Sequence, residues 1–515
     1  MNKNFKKVIG LISCIAIAAS MASCGGKTGT NGGALVDGTG GKITKEPTEL
    51  TLFLIKSGDT HLEDTEVMQA IAEKTNVSLK TVSSKSASDE DTAFNMLMAS
   101  GDLPDIVAYN QSKKAFPKYG MEGAFAPLND LLEEYGQNIL KAYENPSIKA
   151  HVTAADGNIY FITGVNPPTV SSGWFIRQDW LDKLGLKAPT TIEEYHDVLL
   201  AFRTQDPNGN GIQDEVPYLS RFAGVDHLVL LFDTITNWEL KDGKPVYGPM
   251  TPEFKTAYEN IVKWYAEGII DKEIYTRGWK SRDKLFGENL GGSTHDWFGS
   301  TAQFNDMLKD TVPGFDLEVI APPNGKEYTS RDIVNYMGVA IPTTSEKKEV
   351  AVKYLDYMFS EEGIRYRNFG IEGKHYDMDG DYPRFQNWVV NGEKTAISIL
   401  EEAGASNAIP SVQDFRYEEQ WLNDSAKRGA DMYITNKYIQ PAFPILTYIN
   451  DEEERLNKIM TDVRTHLDEV TQKWVFGSLK MEDSYDSLIA KLKELGIDEA
   501  TKIQEDAYNR YLETK

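Results

Sequence analysis

Between Asp206 and Glu215 the chain reads Asp-Pro-Asn-Gly-Asn-Gly-Ile-Gln-Asp-Glu, so oxygen-bearing side chains fall on alternate positions at Asp206, Asn208 and Asn210 and close with Asp214 and Glu215. That is the ligand rhythm of a calcium loop, because hard Ca²⁺ takes six to eight oxygens and a tight loop supplies them from every second residue plus a backbone carbonyl. Gly211 stands sixth, where such a loop needs a sharp turn, and the carbonyl of Ile212 would be the seventh-position ligand. Position twelve is Pro217 rather than the bidentate glutamate of an EF-hand, so Glu215 has to take that part. A solvated Asn-Gly turn pair is the alternative, since these dipeptides mark turns in any case.

A second chemical feature stands at the N-terminus. Lys3, Lys6 and Lys7 precede an apolar run from Val8 to Ala19, then Met21-Ala22-Ser23 and Cys24. A cysteine directly after small residues at the end of an apolar segment has the lipobox arrangement of bacterial lipoproteins, with residues 1–23 as signal peptide and Cys24 as the lipidated first residue. The alternatives are an ordinary secretory signal or a short membrane anchor, and the run falls short of the about 20 residues a span needs. The only other cysteine, Cys14, leaves with the signal, so the mature chain has no thiol for a disulfide or a nucleophile. Residues 24–44 are rich in Gly, Thr and Asn and read as a flexible tether.

Net charge is −24, becoming −27 once the three signal lysines are removed. Such a surface excludes a nucleic-acid partner and a polybasic membrane contact, both of which need clustered cations. The sequence carries no H-E-x-x-H, G-x-S-x-G or G-x-x-x-x-G-K-[ST]. Acidic residues are so many that a hydrolase-type carboxylate pair can always be drawn, which makes their presence uninformative. The expectation is a binding protein and not an enzyme, with a surface polysaccharide-processing enzyme or an adhesin as rivals.

These features need a scaffold. Glu49–Lys56, Val77–Val82 and Asp105–Tyr109 read as strands, and the helical spacings at Val67, Ile71 and Ala72 and at Phe94, Leu97 and Met98 separate them. Strand, helix, strand, helix, strand with short joints predicts an α/β layer with a mostly parallel sheet. Gly157–Ile162 and Trp174–Arg177 read as further strands, and Thr191 caps a helix with Glu194 three places on. Leu456, Ile459, Val463, Leu467, Val470 and Trp474 form one apolar stripe on a long C-terminal helix.

The order of these elements resembles an extracellular solute-binding lipoprotein of an ABC importer, of the carbohydrate-binding family 1 type that includes the alginate-binding proteins. Four segments carry the resemblance: Gly101–Val107, Gly173–Glu194, Phe286–Trp297 and Met337–Gly373. It implies a bilobal periplasmic-binding-protein-like α/β fold, two lobes with a hinge and a helical C-terminal region. The first lobe is expected at 45–165 plus 290–340, and the second at 166–289 plus 341–515 with the helical region. A structural calcium ion is implied on Asp206, Asn208, Asn210, the Ile212 carbonyl, Asp214 and Glu215, away from the cleft. The resemblance further implies a monomer on the outer face of the cell membrane, held by its lipid, that passes a sugar to ABC permease subunits.

Sugars present flat apolar faces rimmed by hydroxyls, so a sugar cleft needs aromatic platforms and planar polar groups. Trp297, ending His295-Asp296-Trp297, stands where related maltodextrin binders place a stacking tryptophan, with core packing as the alternative. Asp59, in the turn after the first strand, and Arg221 and Phe222 occupy places that line the cleft in relatives, with a surface turn as the alternative for Asp59; Trp174 and Trp279 are further aromatic candidates, with ordinary core packing as the alternative. Arg331 could pair with a uronate carboxylate, or form a surface salt bridge. A peptide or another solute is the rival ligand to an oligosaccharide.

Overall fold

The computed structural model describes residues 34–36, 41–55, 61–83, 89–167, 169–329, 331–392, 394–405, 409–449 and 451–513. The signal segment, Cys24, most of the expected tether and Asp59 lie outside the described residues. Among the described residues, no helix is long and apolar enough to cross a membrane.

Two sheets organise the molecule. The first has five strands in the order Val77–Thr81, Thr48–Phe53, Ile106–Tyr109, Val334–Ala340, Ile162–Val165. The second has four, in the order Leu317–Ile320, Ser172–Arg177, Gly291–Trp297, Val216–Tyr218. Each sheet contains one reversed strand: Val334–Ala340 runs antiparallel to both neighbours in the first, and Ser172–Arg177 does so in the second. Both are the first strand laid down after the chain crosses from one sheet to the other. A strand entered from the shared edge must run away from it, whereas strands that lead toward that edge end there. The reversed strands therefore mark which edge of each sheet faces the other lobe.

Residue patterning explains the burial. Trp174 and Ile176 face one core of the second lobe and Phe175 the other, the alternation of a strand covered on both faces. The helix Glu452–Val475 lays its whole apolar stripe, Leu456, Ile459, Val463, Leu467, Val470 and Trp474, into the same core as Trp174. Thr191 caps the helix Ile192–Thr204 by accepting the Glu194 amide at 3.1 Å, but the Glu194 carboxylate turns to the amide and hydroxyl of Thr190 rather than to Thr191.

The expected division of the chain needs correction at two places. Of 290–340, only Val334–Ala340 belongs to the first sheet; Gly291–Trp297 and Leu317–Ile320 pair on either side of Ser172–Arg177 in the second. Conversely, the stretch after 341 does not start in the second lobe. The helices Lys348–Met358 and Glu361–Phe369 bury Val350, Leu355 and Phe369 in the first core, which runs on to Ile409. Leu422 and Ala426 then enter the second lobe, after a third crossing.

Candidate functional site

Open α/β sheets bind ligands beyond the carboxyl ends of their strands. In the second lobe Val216–Tyr218 and Gly291–Trp297 are parallel neighbours, with Tyr218 beside Ser293, so both end toward the same side. Ser172, the first residue laid down after the crossing, pairs with Trp297. The carboxyl ends of these two strands are thereby placed at the edge facing the first lobe, and the residues just past them are Arg221, Phe222 and Trp297. Ser281 fixes this loop by donating its hydroxyl to the Ser220 carbonyl at 2.8 Å, and Ser220 accepts the Phe222 amide at 3.1 Å.

Three aromatic rings gather around one guanidinium there. The Arg221 group lies 4.4 Å from the Trp297 ring centre, 4.9 Å from Trp279 and 5.0 Å from Phe222, and Phe222 meets Trp279 edge-on at 5.5 Å. Trp297 is 50% and Trp279 63% exposed while Arg221 is 4% exposed, so the rings offer open faces and the cation sits behind them. Buried Asp296 braces the arrangement, 2.7 Å from Arg221 and 3.1 Å from Arg282, and it also accepts the Trp297 amide at 2.7 Å. Arg282 is anchored in turn on the hydroxyls of Ser300 and Thr301. Burial pushes the Asp296 carboxyl up and both guanidiniums down, and their mutual attraction opposes each shift without cancelling it. The two guanidinium groups share buried Asp296, and the Asp283 carboxylate lies close enough to act on both.

The other expected ligand residues fare differently. Trp174 is 1% exposed and packs edge-on against Tyr195 at 5.5 Å and His295 at 4.9 Å, so it has no open face for a solute and serves the core. His295 is buried as well, with Nε2 3.0 Å from Glu327 and its ring 4.6 Å from that of His227. Burial first, then His295 and Arg221, push His227 down to about 3, so that imidazole is neutral. Arg331 does not await a sugar carboxylate: its guanidinium reaches both oxygens of Glu418 at 2.6 and 2.9 Å and Gln413 at 2.8 Å. Sequence reasoning missed Asp296 and Arg282; the signal for Asp296 was that it is the single acid in the strand Gly291–Trp297.

Across from this wall, the carboxyl end of Ile106–Tyr109 carries a polar cluster. Tyr109 donates to Asp91 at 2.6 Å, Asn110 to Glu90 at 2.7 Å, and Gln111 to Asp91 at 3.1 Å. Phe94 stacks flat on Tyr109 at 3.9 Å. A cavity of about 920 Å³ runs past Trp421, Met307 and Glu318, away from the aromatic platform, and its lining includes neither Trp297 nor Arg221.

The loop at 206–215 folds around its own oxygens. Asp206, itself at φ +46, accepts the amides of Gly209, Asn210 and Gly211 at 2.9, 3.1 and 3.0 Å. Gly211 at φ +82 makes the turn expected of it. Asn208 accepts the Asn210 amide at 2.9 Å, Asn210 accepts the Ile212 amide at 2.7 Å, and Asn210 Nδ2 donates to Asp214 at 3.0 Å. Among the described residues, no three His, Cys, Asp or Glu side chains form a metal-ligating group; here two Asn oxygens and a carbonyl would have to join the acids. Glu215 supplies the test of fit. It is 2% exposed, and neither of its carboxylate oxygens has a hydrogen-bond partner. Its carboxyl is raised by burial first, with Asp206 and Asp214 adding to the shift, against the lowering pull of the backbone amides of Glu215 and Asn208. A buried carboxylate with two unmatched oxygens, beside two further acids, is a cation's place.

Comparison with known proteins supplies the wider setting. The family model described as bacterial extracellular solute-binding protein matches residues 59–364. The chain is 23% identical over 563 aligned residues to the fructooligosaccharide ABC transporter substrate-binding protein FusA of Streptococcus pneumoniae, covering 100% of this chain and 99% of that one. It is 26% identical over 443 residues to the polygalacturonan/rhamnogalacturonan-binding protein YtcQ of Bacillus subtilis, covering 82% and 84%. The solved structure of alginate-binding protein AlgQ2 without calcium ion is similar at a TM-score of 0.78 and 35% identity, over 91% of this chain and 99% of the other.

Proposed function

Because the chain belongs to the bacterial extracellular solute-binding protein family, we propose that it is the membrane-anchored substrate-binding protein of an ABC importer and takes an oligosaccharide between its two lobes. The observation that carries this reading is the platform of Trp297, Trp279 and Phe222 around Arg221, at the strand ends that face the first lobe. Indole faces take the apolar face of a sugar ring, and Arg221 behind them polarises the rings and holds them in place. The polar cluster of Tyr109, Asn110, Gln111, Glu90 and Asp91 meets the hydroxyl rim when the lobes close, and Asp59 remains a further hydroxyl-binding candidate from the sequence. No bond in the ligand is made or broken; the closed form hands it to permease subunits.

Cys24 is the lipid site that keeps the protein, as a monomer, at the outer face of the membrane. Calcium belongs in the 206–215 loop, held by Asp206, Asn208, Asn210, the Ile212 carbonyl, Asp214 and Glu215. Bound there it would neutralise the orphaned Glu215 carboxylate and pin the loop to the lobe, with no part in ligand contact. Calorimetric titration of the mature protein with uronate oligosaccharides, neutral oligosaccharides and peptides tests the main reading. Saturable binding of an oligosaccharide is expected; binding confined to peptides would overturn it.

A further inference from the structure

Six of the nine tryptophans lie inside the protein or half-buried, and three are exposed. Two of the three, Trp279 and Trp297, belong to the platform. The third, Trp388, is 46% exposed and lines a separate cavity of about 550 Å³ together with Glu66, Lys374, His375, Lys394, Ile399 and Glu402. All of these come from the first lobe, so the cavity exists whether or not the lobes are closed.

The indole is fixed rather than merely exposed. Trp388 Nε1 donates to the Lys374 carbonyl at 3.2 Å, and its ring lies 5.6 Å from that of His375, tilted by 46°. His375 is itself buried and held at both nitrogens: Nδ1 accepts the Ile371 amide at 3.0 Å and Nε2 lies 3.0 Å from Glu66. Burial lowers His375, in keeping with a neutral ring that accepts at Nδ1 and donates at Nε2. Gly370, at φ +83, makes the approach possible, since a Cβ there would stand 2.7 Å from His375 Nδ1. Around the indole, Glu66 pairs with Lys374, and Lys394 reaches both oxygens of Glu402 at 2.6 and 2.7 Å. Two carboxylates and two ammonium groups balance, while Ile399 and Ala403 complete an apolar patch. A rigid ring face rimmed by donors and acceptors without net charge matches a neutral sugar ring, which has one apolar face and a fringe of hydroxyls. An apolar peptide side chain would leave the ion pairs facing apolar atoms, and an anion would find its charge already cancelled.

We propose that this cavity is a second carbohydrate site, in which one neutral pyranose ring stacks on the Trp388 indole, independent of the interlobe platform.

The test uses the mature protein labelled with ¹⁵N at the tryptophan indoles. The Trp388 signal is assigned by its loss in Trp388→Tyr. Methyl β-glucopyranoside and methyl β-galactopyranoside are the probes, and galacturonate is the charged control. A saturable shift of the Trp388 signal is expected with a neutral glycoside, half-complete on the order of millimolar as suits a one-ring contact. It should persist in Trp297→Ala and weaken severalfold in Glu66→Gln and in Glu402→Gln. A Trp388 signal that stays still, moves only with galacturonate, or loses its response in Trp297→Ala overturns the proposal. Failure of the cleft reading would instead appear as unmoved Trp279 and Trp297 signals beside a responding Trp388.

Discussion

Removing calcium should cost this protein stability and spare its ligand contacts, and Glu215 is where the effect can be measured. With both carboxylate oxygens buried and unpartnered, the calcium-free fold carries a penalty that the ion removes. An ion present at about one hundred times its dissociation constant stabilises the form that binds it by about 2.7 kcal/mol. For the transition of a lobe of about 150–250 residues, each kcal/mol moves the midpoint by about 2–4 °C, so chelation should lower Tm by roughly 5–10 °C. Glu215→Gln separates this account from a general loss of packing. It deletes the repelled charge beside Asp206 and Asp214, so its chelated Tm should equal or exceed that of the chelated parent, while its calcium increment falls below about 1 kcal/mol. The pH dependence has a definite sign. Glu215 is raised above its ordinary 4.5, so the calcium-free fold holds a proton that the unfolded chain releases. Stability of the calcium-free protein is therefore greatest below 4.5 as far as this group is concerned, and falls as pH climbs through the raised value. Calcium should flatten that slope. Differential scanning calorimetry with calcium or chelator across this range checks all three statements. A Glu215→Gln variant that kept the full calcium increment, or chelation that abolished glycan binding at unchanged Tm, would refute the reasoning.

Other substitutions have equally definite outcomes. Trp297→Ala should weaken oligosaccharide binding by about 2 kcal/mol, roughly thirty-fold, with little change in Tm because the ring is half exposed; calorimetry at full affinity would remove its stacking role. Asp296→Asn strands two buried guanidiniums and should cost about 3–5 kcal/mol in urea unfolding, and an unchanged midpoint would mean the arginines find other partners. Trp174→Ala empties a core position at about 3–5 kcal/mol, yet the folded fraction should keep its ligand affinity, as titration at low temperature can show. Cys24→Ser should move the expressed protein from the detergent phase to the aqueous phase in a partition assay, and retention in detergent would exclude the lipid anchor.

Much of the scaffold was legible because its signals are local. The parallel trio of Thr48–Phe53, Val77–Thr81 and Ile106–Tyr109, the Thr191 cap and the stripe on Glu452–Val475 follow from periodicity and capping residues within a few turns of each other. Assignment of strands to lobes was not local. Gly291–Trp297 reads as a glycine- and hydroxyl-rich strand that would suit either sheet, and only its pairing with Ser172–Arg177, over one hundred residues earlier, puts it in the second. The same limit explains the site. Trp297 and Phe222 could be picked by type, but Trp174 has the same type and is buried, since a strand two positions from its end faces the core. Arg331 looked free because its partner, Glu418, lies 87 residues away. Trp388, in the four-residue helix Asn387–Val390, carries no distinguishing sequence signal; its meaning comes from His375 and Glu66, brought together by the fold.

The three crossings make the hinge more than a pair of flexible joints. Asn166, on the first, takes the Ile333 carbonyl with its amide and the Asp332 carbonyl with its side chain, at 3.0 and 2.7 Å. Arg331, on the second, pairs with Gln413 and Glu418 on the third, and Gln413 in turn donates its amide to Val165 at 2.8 Å. Straps bonded to one another in this way must bend together, which restricts the lobes to a common rotation rather than independent wobble. The second crossing also carries Glu327, whose buried contact with His295 ties it to the strand that ends at Trp297. The platform is thus fixed to the same structure that sets the rotation. Movement of the first lobe toward it changes the width of the cleft without loosening the rings, and preorganisation of that kind keeps the ordering cost of binding low.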